Sequence, residues 1–145
     1  MAGDLLRPTE RAATISLKND AGLLAIVPEA TIDPYDEPPE WPFIRLDGFQ
    51  AIPAGRGCTA RSEVTFMAHS FAKPRRDGSG AIVETARDYA GRVNGAVVEA
   101  LQAHAYEVEG RRYRFTVRSS RLMPDGEEAD AWHGIASVLA RVFNG

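Results

Sequence analysis

The sequence predicts an α+β fold: a mostly antiparallel sheet of about four to five strands, one long helix packed across a face, and short N-terminal helices. Three patterns carry this expectation. From Ala81 to about His104 apolar residues recur at steps of three and four, as on one side of a helix. In Thr59–Phe71 they alternate with polar residues, as in a half-buried strand. Glu109-Gly110 separates two strand-like runs by the two residues of a tight hairpin.

Taken in order, residues 1–7 form a flexible arm and residues 8–145 a single domain. Pro8 suits the first turn of a helix running to about Lys18, with Glu10 near the positive end of its dipole. Asn19 or Asp20 caps a second short helix that Pro28 stops at Val27. Ala13, Leu17, Leu23, Leu24 and Val27 supply the buried side of this pair. Pro28, Pro34, Pro38, Pro39 and Pro42, set among acidic residues, leave room for no regular element, so residues 28–42 read as an extended surface loop that Trp41 anchors.

Phe43, Ile44 and Leu46 open a strand ending near Gln50, and a turn with Pro53, Gly55 and Gly57 follows. In the next strand Val64, Phe66, Ala68 and Ser70 share one face and Glu63, Thr65, Met67 and His69 the other. The two strands pair antiparallel. Lys73–Gly80 reads as a loop with Ser79 capping the long helix, whose stripe is Ile82, Ala86, Tyr89 or Ala90, Val93, Val97 and Leu101. Tyr106–Val108 and Arg111–Leu122 form the hairpin, with Tyr113, Phe115 and Val117 on one side. After the acidic turn Pro124–Asp130, Ala131–Phe143 is a last strand, apolar on both faces.

Bulk properties narrow the function. An apolar share of 44% and a charged share of 26% are those of ordinary globular proteins. No apolar run reaches the roughly 18–20 residues that span a bilayer, so no membrane helix is expected. The first residues lack an apolar signal core, and Cys58, the single cysteine, excludes an internal disulfide; both fit a protein made in a cytoplasm. A net charge of −3 argues against broad wrapping of nucleic acid. The charge is uneven, however. Cations gather at Lys73, Arg75 and Arg76 and at Arg111, Arg112, Arg114, Arg118 and Arg121, and acids at 29–40 and 125–130, which suits surfaces that choose protein partners by sign.

No pattern of catalysis emerges. Cys58 with His133 is the one nucleophile–base pair available to a cysteine hydrolase, and it lies in no local signature; a small loop-edge cysteine explains it as well. His69, His104 and His133 fall on three elements without metal-ligand spacing. Asp77-Gly78-Ser79-Gly80 lacks the spacing of a phosphate loop, and Asp125, Glu127, Glu128 and Asp130 lack that of a calcium loop. No cofactor is expected. The long helix instead places Gly91, Gly95 and Val98 opposite its apolar stripe, and interior glycines cost roughly 1 kcal/mol each unless another backbone approaches them. They are the expected subunit interface. Lys73, Arg75, Arg76 and Asp77 form the expected partner- or DNA-facing loop. The apolar surface of the strands exceeds what one helix covers, so either the N-terminal helices form a second layer or other subunits do.

The order DAGLLAIVPEATID, PPEWPFIRL, SEVTFMAHSF, DYAGRVNGAVVEAL, YEVEGRRYRF and PDGEEADAWHG resembles the tail-completion, or tail-terminator, family of long-tailed bacteriophages and gene transfer agents, over roughly residues 8–143. The Pro-rich loop and the Gly55-Arg56-Gly57 turn look like local elaborations on that pattern. The resemblance implies a non-enzymatic structural protein of the virion, assembled in the host bacterial cytoplasm and located at the tail–head junction. Its implied form is a ring, hexameric in the family, that caps the tail tube, ends its growth and joins tail to head connector. The implied partners are copies of itself, the tail-tube protein and the head-closure or stopper protein, with DNA only passing through the ring lumen and no membrane. Another neck component, a head-closure or minor tail protein, is the rival structural reading; the hydrolase using Cys58 and His133 is the remote one.

Overall fold

A computed structural model describes residues 4–34, 40–52 and 61–144. Helix α1 (Leu6–Lys18) begins two residues inside the stretch expected as an arm. Its free N–H groups at Leu6 and Arg7 donate to the Asp4 carboxylate, which does the work of an N-cap. Ala12, Ala13 and Leu17 face the core. Asp20 caps α2 (Ala21–Leu24) by accepting from the Leu23 N–H at 2.9 Å, and Leu23 and Val27 are buried as expected, whereas Leu24 faces outward. A single 3-10 turn, Glu29–Thr31, follows Pro28.

The described strands are β1 (Phe43–Ile52), β2 (Arg61–Ala72), β3 (Arg75–Arg76), β4 (Ile82–Glu84), β5 (Tyr106–Val108), β6 (Arg111–Pro124) and β7 (Trp132–Asn144). Five of them make an antiparallel sheet in the order β1-β2-β7-β6-β5, and β3 and β4 pair separately. The last strand to be made thus enters the middle of the sheet, between β2 and β6. An apolar strand on both faces belongs there. The expected β1–β2 and β5–β6 pairs are present, and Glu109 (φ 53°) and Gly110 (φ 78°) both take the left-handed backbone that a two-residue hairpin turn requires.

Two expectations are corrected around the long helix. It runs as α3 over Ala86–Gln102, and Thr85, not Ser79, caps it by accepting from the Asp88 N–H. Ile82 therefore belongs to β4 and stands 51% exposed, outside the buried stripe of Ala86, Ala90, Val93, Val97 and Leu101. The segment read as a plain loop is a small hairpin. Asp77 organises its turn, its carboxylate accepting from the Ser79 N–H, the Ser79 hydroxyl and the Ala81 N–H.

Helix α3 packs on β2, β6 and β7, and α1 and α2 lie beside it on the same face. Leu17, Leu23, Val64, Phe66, Val97, Leu101, Tyr113, Phe115 and Val138 are parts of one buried cluster. The N-terminal helices therefore widen the layer of α3 and form no layer on the other face. That other face carries Phe43, Met67, His69, Ile135, Leu139 and Arg121 from four strands, and its apolar residues stand outside the main core cluster. The turn with Pro53, Gly55 and Gly57 lies outside the described residues, as do residues 35–39 of the Pro-rich segment.

Candidate assembly surfaces

Four surfaces collect the residues of interest. The first is the outer side of α3. Gly95 is exposed, and a side chain there would meet open space. Gly91 is different: a Cβ would lie 3.6 Å from Leu122 on β6, in ordinary contact, and Val98 packs partly against the core. The helical wheel places these residues together, but α3 rolls far enough toward β6 to half-bury two of the three.

The β3–β4 hairpin is the second. Its cations are largely satisfied inside the hairpin and its neighbours. Arg75 Nε donates to Glu84 at 3.1 Å and Arg76 to the Gly80 carbonyl at 3.0 Å. Lys73 stands 4.8 Å over the Trp41 ring, with Glu128 at 3.7 Å. Asp77 is held below the usual carboxylate range by the Ser79 hydroxyl and the turn N–H groups. What the hairpin offers outward is apolar: Ile82 and Val83 are half exposed.

The third surface lies on the helix-free face, where an aromatic row crosses one end of the sheet. Trp41 meets Phe43 edge-on at 4.9 Å, Phe43 stacks on Phe71 at 4.6 Å, and Phe71 stacks on His133 at 4.1 Å. Trp41 thus anchors the Pro-rich segment as expected. Beside this row runs a hydrogen-bonded chain: His69 Nε2 donates to Asp47 Oδ1 at 2.7 Å, which leaves its Nδ1 to accept from His133 Nε2 at 2.8 Å. Burial and the neighbouring His69 push the His133 pKa down. Sequence reasoning kept these histidines apart because they lie on different elements. The signal it lacked is register: β2 pairs β7 with Phe71 opposite His133 and His69 opposite Ile135. Cys58 lies outside the described residues, so no nucleophile is placed near His133. Among the described residues no group of three His, Cys, Asp or Glu is arranged to hold a metal ion, and no helix is long and apolar enough to cross a membrane.

The fourth is the edge of β6. β5 covers only Arg111–Tyr113, so from Arg114 to Pro124 the outer side of β6 meets no other described strand. A bulge at Val117–Ser119 interrupts this edge, and the Val117 N–H donates to the Gln102 side chain at 2.7 Å. Arg112, Arg114, Arg118 and Arg121 are all exposed along it.

A model of the family described as tail completion protein gp17 matches residues 12–142. The chain belongs to this family. It is a structural tail protein of the virion, and not an enzyme. Among solved structures, a chain from the virion of a native gene transfer agent particle superposes with a TM-score of 0.75 at 18% identity, covering 99% of this chain and 100% of that one. At that identity the likeness establishes the fold. A comparison with curated proteins gives no match.

Proposed function

We propose that this tail completion protein forms a closed ring of copies, six by family resemblance, that caps the tail tube, ends its growth and joins it to the head connector. Membership of the tail completion family over residues 12–142 carries this reading. The fold is consistent with it. A ring needs two different surfaces on each copy that meet head to tail, and this sheet has different edges, β1 on one side and β5–β6 on the other. The partners of the ring are its own copies, the tail-tube protein and the head-closure protein, and DNA only passes through its lumen. Gly95, with Gly91 and Val98 beside it, is a proposed contact between copies. The hairpin bearing Lys73, Arg75, Arg76 and Asp77 is a proposed contact with tube or connector, made through Ile82 and Val83 as much as through charge.

Deleting the gene and imaging the particles tests the reading. The expected result is tails of irregular length that fail to join heads, restored by the wild-type gene. Tails of normal length joined to heads in its absence would overturn it. Gly95→Arg, which adds a long side chain where there is open space, is expected to leave the monomer folded and to lower the copy number found on isolated tails.

A further inference from the structure

The exposed arginines of β6 are the largest unanswered charge on the described surface. Arg112, Arg114, Arg118 and Arg121 make no ion pair among the described residues, in contrast to Arg7, Arg11, Arg75, Arg92 and Arg141. The fold aggravates the imbalance, since Arg114 lies directly across from Arg141 on β7, and like charges in opposed positions destabilise a sheet. No acidic residue falls between Gly110 and Pro124. Beside this row no described strand pairs with the edge, although Gln102 takes the Val117 N–H, and the C-terminal end of α3 borders it with a cleft of ≈ 510 Å³ lined by Gln102, His104, Arg112, Arg114 and Thr116 among others. An open edge next to a helix is a seat for an extended segment of another chain.

The same sequence carries the complementary charge. Between Lys18 and Arg45 there is no cation, and Pro34–Glu40 holds Asp36, Glu37 and Glu40. The eight residues Arg114 to Arg121 span about 23 Å of strand, and the seven residues Pro34–Glu40 reach at most about the same length when fully extended. Within one copy the described ends of this segment lie at the β1 edge, across the sheet from β6. Ile32 bridges to Ile44 on β1, at one edge of the sheet, and β6 is separated from β1 by β2 and β7, about 14 Å across.

We infer that the β6 edge, with Arg114, Arg118 and Arg121, docks the acidic segment Pro34–Glu40 of a second copy. This deepens the ring reading and rests on it. Matched charge on opposite edges makes the contact heterologous, so each copy gives its acidic segment to one neighbour and receives that of the other. Nucleic acid is the other polyanion that could answer a basic row. A chain of net charge −3 that carries its own acidic run of comparable reach favours the polypeptide.

The test compares wild type, the triple variant Arg114→Glu, Arg118→Glu, Arg121→Glu, and the triple variant Asp36→Lys, Glu37→Lys, Glu40→Lys. Circular dichroism checks the fold of each. Native mass spectrometry reads copy number on the free protein and on isolated tail tubes. Wild type is expected to assemble, each triple variant to lose at least about tenfold in assembly, and an equimolar mixture of the two to recover it, because the mixture restores opposite signs at every contact. Recovery in the mixture also shows that the variants were folded. If wild type assembles and the arginine variant does so equally, the docking surface is wrong and the ring stands. If that variant still assembles but loses retention of a short duplex DNA that wild type binds, the row serves nucleic acid and the inference fails. If wild type is single-copy both free and on tubes, the ring reading itself falls.

Discussion

A side-chain carbon placed on Gly134 would stand 2.8 Å from the Cβ of Asn94 and 2.9 Å from its Cγ. No real Cβ tolerates that approach, and the Asn94 Cβ is fixed to the backbone of α3, so no rotamer change relieves it. Gly134 on the central strand is therefore a point of close approach between helix and sheet. Asn94 completes the contact by donating to the Ser120 hydroxyl at 2.6 Å.

The glycines of this region should rank accordingly in thermal melts. Gly134→Ala forces α3 away from β7 and is expected to cost about 1–3 kcal/mol. Gly95→Ala, on an exposed helical position with open space around it, should stabilise by up to about 1 kcal/mol. Gly91→Ala, in ordinary contact with Leu122, should fall between them. A melting temperature for Gly134→Ala at or above wild type would show that the close approach does not constrain the fold.

The carboxyl of Glu10 gives a prediction in pH. Burial, then its hydrogen bond to Asp33 and the charge of that residue, push its pKa up to about 7 from an ordinary 4.5. A carboxyl that holds its proton more tightly folded than unfolded contributes its full stability below about 4.5 and loses it as pH rises through about 7. Glu10→Gln keeps the hydrogen-bonding shape without the charge. It should match wild type near the acid end and exceed it at alkaline pH, by on the order of 1 kcal/mol, since solvent reaches the pair. Parallel stability curves for the two proteins across that range would refute the coupling.

The His133–His69–Asp47 chain has the opposite sign. Burial first, and then His69, lower the pKa of His133, so the fold prefers the neutral ring. That preference is intact above the ordinary imidazole value of 6.5 and is lost as pH falls through the depressed one. His133→Phe keeps the stack on Phe71 and removes the titration. At neutral pH it should cost about 1 kcal/mol for the lost hydrogen bond. On acidification it should lose less stability than wild type. A proton NMR titration that placed His133 above the ordinary imidazole range would contradict this geometry.

How far the sequence could be read depends on whether a feature is local. The Glu109-Gly110 turn, the Asp20 cap and the alternation of Val64, Phe66, Ala68 and Ser70 are local chemistry, and all appear as expected. Ile82 misled because its spacing to Ala86 fits a helix. Ile82-Val83, two β-branched residues ahead of Thr85, is equally a strand with a cap behind it, and only the pairing with Arg75–Arg76 decides. The meeting of His69 with His133, the half-burial of Gly91 under Leu122 and the fit of Gly134 on Asn94 depend on register and helix roll. Those are set by long-range packing, and periodicity along one element carries no trace of them.

Glu84 ties the apolar hairpin to the body, and this yields a prediction about local structure. Arg92 grips its carboxylate with two donors, at 2.8 and 2.9 Å, while Arg75, opposite it on β3, adds a third. Those contacts, Arg92 first, hold its pKa below the ordinary range, so it stays ionised. Arg92 in turn lies 5.1 Å over the Tyr89 ring. Glu84 is mostly shielded, but its partners are open to solvent, so Glu84→Gln should cost only on the order of 1 kcal/mol. The loss should be confined to the hairpin, because no other described ion pair joins β3 or β4 to α3. Hydrogen exchange at Arg76 and Ile82 should therefore accelerate, along with protease cutting between Lys73 and Glu84, while the amides of α3 and β7 keep their protection. Uniform acceleration through the sheet would mean that the hairpin is integral to the core and not a projecting contact held by one carboxylate.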